Sequence, residues 1–125
     1  MIYQENMKQE CTGIIIDDEV DLREAVTEYL EKKGFKIIGN GNNGCEADNL
    51  FKEKQPDFVV LDLNMPDYDG QYAIKKIKEQ DPQAKIFIIT GYADSFNEES
   101  KVVRVIEKPF NLERLANIIC KSVCN

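Results

Sequence analysis

The chain has 125 residues, about the commonest size for a single domain and long enough to bury roughly two thirds of what it exposes when unfolded. A net charge of −7 argues against a nucleic-acid surface, which needs a basic stripe to displace counterions, and against attraction to anionic lipid. The chain contains no histidine, which excludes Ser-His-Asp and Cys-His nucleophile pairs, HExxH sites and any His-ligated zinc, and leaves carboxylate chemistry open.

Met1–Glu10 is polar, lacks the apolar core of a signal peptide, and reads as a flexible leader over residues 1–10. Gly13–Asp17 is an apolar run ending in acid. Val20–Lys33 repeats Leu22, Ala25/Val26 and Tyr29/Leu30 at helical spacing, and Gly34 stops it. Phe35–Gly39 predicts a second short strand and the Asn40–Gly44 stretch a loop. Ala47, Leu50 and Phe51 mark a helix closed by Gln55-Pro56. Phe58–Leu61 is apolar at consecutive positions, as in a strand covered on both faces. Gly70–Gln80 places Ala73, Ile74 and Ile77 on one face. Ile86–Ile89 and Val102–Ile106 predict two more buried strands. The final helix starts at Asn111 as N-cap and turns Leu112, Leu115, Ile118, Ile119 and Val123 inward.

Five strands alternating with helices, with short links, predict an α/β domain over residues 11–125 whose doubly wound parallel sheet lies between helices. Cys11, Cys45, Cys120 and Cys124 form no CxxC, and no run approaches the ~20 apolar residues of a membrane span; both fit a reduced, cytoplasmic protein.

In such sheets the ligand site lies at the carboxyl ends of the strands. Those ends carry Asp17-Asp18-Glu19, Asp62, Thr90 and Lys108-Pro109. Any one of these is ordinary: an acid after a strand is often a helix N-cap, and a lone Thr or Lys is usually plain surface. Together they place three carboxylates, a hydroxyl and an amine at one spot. Two carboxylates ~5 Å apart repel by about 3 kcal/mol at an effective dielectric near 20, so a cluster of three calls for a divalent cation. Oxygen-only ligation suits Mg²⁺ or Mn²⁺. Asp62 could then attack phosphorus while the metal shields its charge, with Lys108 and the Thr90 hydroxyl meeting the phosphoryl oxygens.

These residues carry a resemblance. Ile14-Ile15-Ile16-Asp17-Asp18-Glu19, Val60-Leu61-Asp62-Leu63-Asn64-Met65-Pro66 with Gly70, Ile89-Thr90-Gly91 and Glu107-Lys108-Pro109-Phe110 resemble the motifs of response-regulator receiver domains of the chemotaxis type, in order and spacing. The resemblance implies a flavodoxin-like five-stranded sheet in the order 2-1-3-4-5. It also implies Mg²⁺-dependent phosphotransfer onto Asp62 from a sensor histidine kinase or phosphotransfer protein. Asp17 and Asp18 match the metal-binding acidic pair, the Asn64 carbonyl the backbone metal ligand, Thr90 the switch hydroxyl and Lys108 the phosphate-pairing lysine. Lys108-Pro109 resembles the family's cis peptide, and X–Pro is the bond that adopts cis cheaply.

Two departures stand out. Lys108 follows Thr90 by only 18 positions, and the intervening segment is polar, so the customary fourth helix is expected to be shortened or disordered, at most a turn or two from Ser95. Val105 stands where the family usually has an aromatic residue in strand five, and a β-branched side chain cannot make that residue's large swing. Tyr92 is a candidate substitute, although an ordinary half-exposed loop aromatic is the plainer reading; a bulky group there could also hinder water and prolong the phosphorylated state.

The sequence thus reads as a stand-alone receiver without a DNA-binding output domain and without enzymatic turnover beyond slow self-catalysed phosphorylation and dephosphorylation. Its signal would leave through contact with a downstream protein or a second copy, with neither nucleic acid nor membrane involved. The alternative reading is a receiver-like binding module that works without phosphorylation, against which the intact Asp17, Asp18, Asp62, Thr90 and Lys108 argue. A haloacid-dehalogenase-like phosphatase would need a second aspartate two positions after its nucleophile, where this chain has Asn64. A calcium loop starting at Asp62 or at Asp67 lacks the required glycine, its sixth position being Asp67 or Tyr72, and no P-loop motif occurs.

Overall fold

The computed structural model describes residues 10–91 and 103–123. The elements follow in chain order as β1 (Thr12–Ile16), α1 (Val20–Lys32), β2 (Lys36–Gly41), α2 (Gly44–Lys54), β3 (Phe58–Asp62), α3 (Gly70–Gln80), β4 (Lys85–Thr90), β5 (Val103–Glu107) and α4 (Leu112–Val123). The strands form one sheet in the order β2-β1-β3-β4-β5, every neighbouring pair parallel. This is the flavodoxin-like order 2-1-3-4-5. The expected shortened fourth helix, Tyr92, Ser95 and all of the expected 1–10 leader but Glu10 lie outside the described residues.

Side chains alternate across each strand, so a strand apolar at every position feeds two cores. Ile14, Ile16, Val59, Leu61, Ile86 and Ile88 join one face with Ala47 and Phe51 of α2 and Ala73, Ile74 and Ile77 of α3. Ile15, Phe58, Val60, Phe87 and Ile89 join the other with Val26 and Leu30 of α1 and Leu115 and Ile119 of α4. Phe58 centres the second core, edge-on to Phe35 at 5.5 Å and Phe87 at 6.3 Å between ring centroids. Ala25, expected to share the inward face of α1, is exposed; the stripe runs through Leu22, Val26, Tyr29 and Leu30. Cys45 and Cys120 are free thiols and Cys11 is buried in the core. Among the described residues no helix is long and apolar enough to cross a membrane.

Helix boundaries follow local chemistry. Gly34 adopts φ 101° after α1, where the amide of Phe35 reaches back to the Leu30 carbonyl at 3.1 Å. Asn43, Asp69 and Asn111 accept the amides of Glu46, Tyr72 and Arg114 and so cap α2, α3 and α4. The stretch expected as a loop from Asn40 begins two residues later, because Asn40 and Gly41 pair with Ile15 and Ile16 and extend β2.

The chain runs from β1 outward to β2 and then crosses back to β3, so the strand order reverses between β1 and β3. Asp17 follows β1 and Asp62 ends β3, on either side of that crevice. Gly70 holds the loop after β3 close: its amide donates to the Leu63 carbonyl at 2.9 Å, and an added Cβ would stand 2.6 Å from Leu63 Cα and 2.9 Å from the Asp62 carbonyl oxygen. Both atoms are main chain, so overpacking outweighs the roughly 1 kcal/mol that alanine otherwise gains over glycine in a helix. Gly70→Ala is expected to destabilise the fold by about 1–3 kcal/mol, seen as a lower urea midpoint at unchanged m-value; an unchanged or higher midpoint would contradict the packing described.

Candidate functional site

The site forms where four strand ends meet. Asp17, Asp18 and Asp62 each bring a carboxylate oxygen within 4.8 Å of the others. Asp17 and Asp62 are both only 4% exposed, while Asp18 is open to solvent. Glu19, not Asp18, stands at the N-cap of α1, and it makes no side-chain capping bond. The helix-cap explanation of Asp18 therefore fails, and its carboxylate is left to the cluster.

The surrounding chain holds these carboxylates in place. The Asp17 carboxylate accepts the Glu19 amide at 2.9 Å, and the Asp17 amide donates to the Gly41 carbonyl at 3.0 Å. Asp62 Oδ1 accepts the Asn64 amide at 3.2 Å and lies 3.9 Å from the Lys108 ammonium. Lys108 itself is placed by its amide, which donates to the Thr90 carbonyl at 2.8 Å, and the Lys108–Pro109 peptide is cis. Thr90 is fully buried, and its hydroxyl accepts the Asn64 side-chain amide at 3.3 Å. Gly91, next to it, is exposed, with open space where a Cβ would stand.

Burial pushes the Asp62 carboxyl up to about 6, and the Asp17 charge adds to the rise; Lys108 and the Asn64 amide oppose it. Asp17 is raised for the same first reason, burial, with the Glu19 amide and Lys108 pulling the other way. Among the described residues one ammonium, at 3.9 Å, leaves the cluster negatively charged, and its donors, all oxygen and closely spaced with solvent reaching Asp18, are of the kind that suits a hard divalent cation.

All five side chains singled out in the sequence stand at the carboxyl end of the sheet, and Asn64 lies beside Asp62. Two features of the site were not read from the sequence. The Asn64 side chain reaches Thr90 across the crevice, and Arg23 of α1 grips the end of β1. The position of Arg23, six residues after Asp17, is the only sequence signal for the second.

The response regulator receiver domain family matches residues 14–120. The chemotaxis protein CheY of Bacillus subtilis is 32% identical over 118 residues, covering 88% of this chain and 95% of that protein. CheY of Thermotoga maritima is 31% identical over 116 residues, covering 86% and 93%. Among solved structures, a LuxR-family two-component response regulator from Aurantimonas superposes with TM-score 0.81 at 25% identity, covering 93% of this chain and 86% of that one. The Borrelia burgdorferi CheX–CheY–BeF3–Mg²⁺ complex gives TM-score 0.79 at 22% identity, covering 94% and 92%, a likeness of fold.

The raised Asp62 pKa has a consequence for stability. A carboxyl whose folded pKa lies above its unfolded value binds more protons in the native state between the two, so stability falls as pH rises from about 4 to about 6. Asp62→Asn removes that charge at nearly constant shape. In metal-free buffer at pH 7.5 the variant is expected to be more stable than the parent by on the order of 3 kcal/mol, the gain vanishing below about pH 4. Urea unfolding in EDTA at both pH values checks this; an equal gain at both would contradict it.

Proposed function

The chain belongs to the response regulator receiver domain family, and from that premise we propose that it is a stand-alone two-component receiver phosphorylated on Asp62. The observation that carries this reading is the burial of Asp62 inside the aspartate cluster, with the Lys108 ammonium 3.9 Å away. The format is supported by the two CheY proteins, matched over 95% and 93% of their own length.

Asp17, Asp18 and Asp62 through their carboxylates, with the Asn64 carbonyl, would hold Mg²⁺ or Mn²⁺. When bound, the ion neutralises the cluster and screens the nucleophile from an anionic phosphoryl group. Asp62 supplies the oxygen that forms the new O–P bond; the P–N bond to the donor's histidine, or the P–O bond of a small acyl phosphate, breaks, and the donor keeps the electron pair. Lys108 pairs with a phosphoryl oxygen, and the Thr90 hydroxyl donates to another once it turns from Asn64. Water ends the modified state by attack on phosphorus: the Asp62 O–P bond breaks, the electron pair returns to the carboxylate and inorganic phosphate leaves, so the protein acts as a phosphoacceptor rather than an enzyme that turns over a substrate.

The charge created at Asp62 draws Thr90 and Lys108 inward. Both are continuous with β4, β5 and the start of α4, so the population of that surface's conformations shifts with phosphorylation. Partners follow: a sensor histidine kinase or phosphotransfer protein upstream, and downstream a protein, or a second copy, that distinguishes the two states. Val105 is half-buried against the core beside α2 and α3, so the switch on this chain works without a rotating aromatic at that position. The receiver domain is proposed to span 11–125, with 1–10 as a leader; the family match itself covers 14–120.

Incubation with acetyl phosphate and Mg²⁺ is expected to add the mass of one phosphoryl group to the intact protein. Asp62→Ala is expected to show no gain, and EDTA to abolish the gain in the parent. A parent that stays unmodified, while still binding its partner, would favour the phosphorylation-independent module instead.

A further inference from the structure

The Asp17 and Asp18 side chains hang from opposite ends of one peptide unit, the Asp17 carbonyl and the Asp18 amide. Whatever fixes that plane fixes where both carboxylates begin. Strand pairing holds the Asp17 amide, but β1 ends at Ile16, so the plane beyond Asp17 lies outside the sheet's own ladder.

Arg23 reaches it. From the second turn of α1 its Nη1 donates to the Asp17 carbonyl at 2.9 Å, to the Gly41 carbonyl at 3.3 Å and to the Asn42 side-chain oxygen. The Gly41 carbonyl is the one that also accepts the Asp17 amide. The Arg23 main chain is held within α1, its amide donating to the Glu19 carbonyl at 3.0 Å and its carbonyl accepting the Thr27 hydroxyl at 2.8 Å, and Val26 and Leu30 seat that helix in the core. Asn42 is held in turn by its amide, which donates to Glu46 of α2 at 2.7 Å. One guanidinium therefore joins α1, the end of β1 and the loop between β2 and α2. The oxygens it meets belong to two main-chain carbonyls and an amide, none to a carboxylate, so it acts on the acidic pair through the backbone.

We infer that Arg23 is a positioning residue for the divalent-cation site, setting the peptide plane from which Asp17 and Asp18 reach the metal. This rests on the reading of the cluster as a cation site given above. All three bonds come from Nη1, which stands one bond further from Cα than a lysine ammonium nitrogen, so a lysine at this position keeps the charge but not the reach. Outer groups that orient metal ligands commonly change metal affinity by 10–100-fold when removed.

The test uses the full chain and Mg²⁺ alone, titrated by calorimetry, with urea unfolding in parallel. Arg23→Met is expected to weaken Mg²⁺ binding on the order of 10-fold. Arg23→Lys keeps the charge and the aliphatic stem and is expected to fold even if the methionine variant does not; it should remain weakened to a similar degree. In acetyl-phosphate labelling, the Mg²⁺ concentration for half-maximal rate should rise by the same factor, while the rate at saturating Mg²⁺ approaches the parent's. Simple loss of fold stability would reduce the labelled fraction without moving that midpoint. Parent-like Mg²⁺ affinity in either folded variant, or full rescue by lysine, would overturn the inference. Absence of Mg²⁺ binding by the parent would instead remove the cation-site reading beneath it.

Discussion

Three carboxylates confined within 4.8 Å at the end of a hydrophobic sheet are the constraint from which the rest of this molecule follows. Two of them are nearly withdrawn from water, and burial disfavours their charged form. The Lys108 ammonium, 3.9 Å from Asp62, offsets part of the repulsion. The fold holds the cluster because the carboxylates sit at the ends of strands whose apolar residues fill two cores, and those cores cannot shift without exposing surface. The arrangement holds like charges together at a cost that a bound cation would relieve.

The same constraint explains how tightly the backbone is tied at this end of the sheet. Amides of Glu19 and Asn64 donate to the acids of Asp17 and Asp62, Gly41 receives the Asp17 amide, and the Gly70 amide closes the loop after β3. The opposite end is tied more simply, with Asp57 accepting the amide and hydroxyl of Thr12 to join β1 and β3. Repelling groups spread apart unless their main chain is held. The site is thus built from loops that behave as rigid extensions of the strands.

Much of this was legible in the sequence because parallel strands covered on both faces leave an unmistakable pattern. Val59, Val60 and Leu61 admit no polar alternation, and the acids that follow such runs stand out against them. The end of α1 at Gly34 and the start of α4 at Asn111 were readable because each uses a residue chosen for backbone reasons. Legibility failed where a contact spans elements. Ala25 fits the helical stripe by spacing but turns to solvent, since its neighbours Val26 and Leu30 already fill the face toward Phe58. The Asn64–Thr90 bond and the Arg23 clamp depend on loop geometry that no local pattern encodes. Asn40 and Gly41 resemble loop residues by composition, yet their main chain pairs with β1, which the side chains do not reveal.

The strongest test of the central claim is a direct titration of Asp62 by carbon-13 carboxyl NMR, with and without Mg²⁺. Without the ion, the carboxyl is expected to titrate at about 6, and with saturating Mg²⁺ its midpoint should drop well below the ordinary carboxylate range. A carboxyl that titrates near 4 in both conditions, indifferent to the cation, would contradict the picture of a buried aspartate cluster made for a metal and a phosphoryl group.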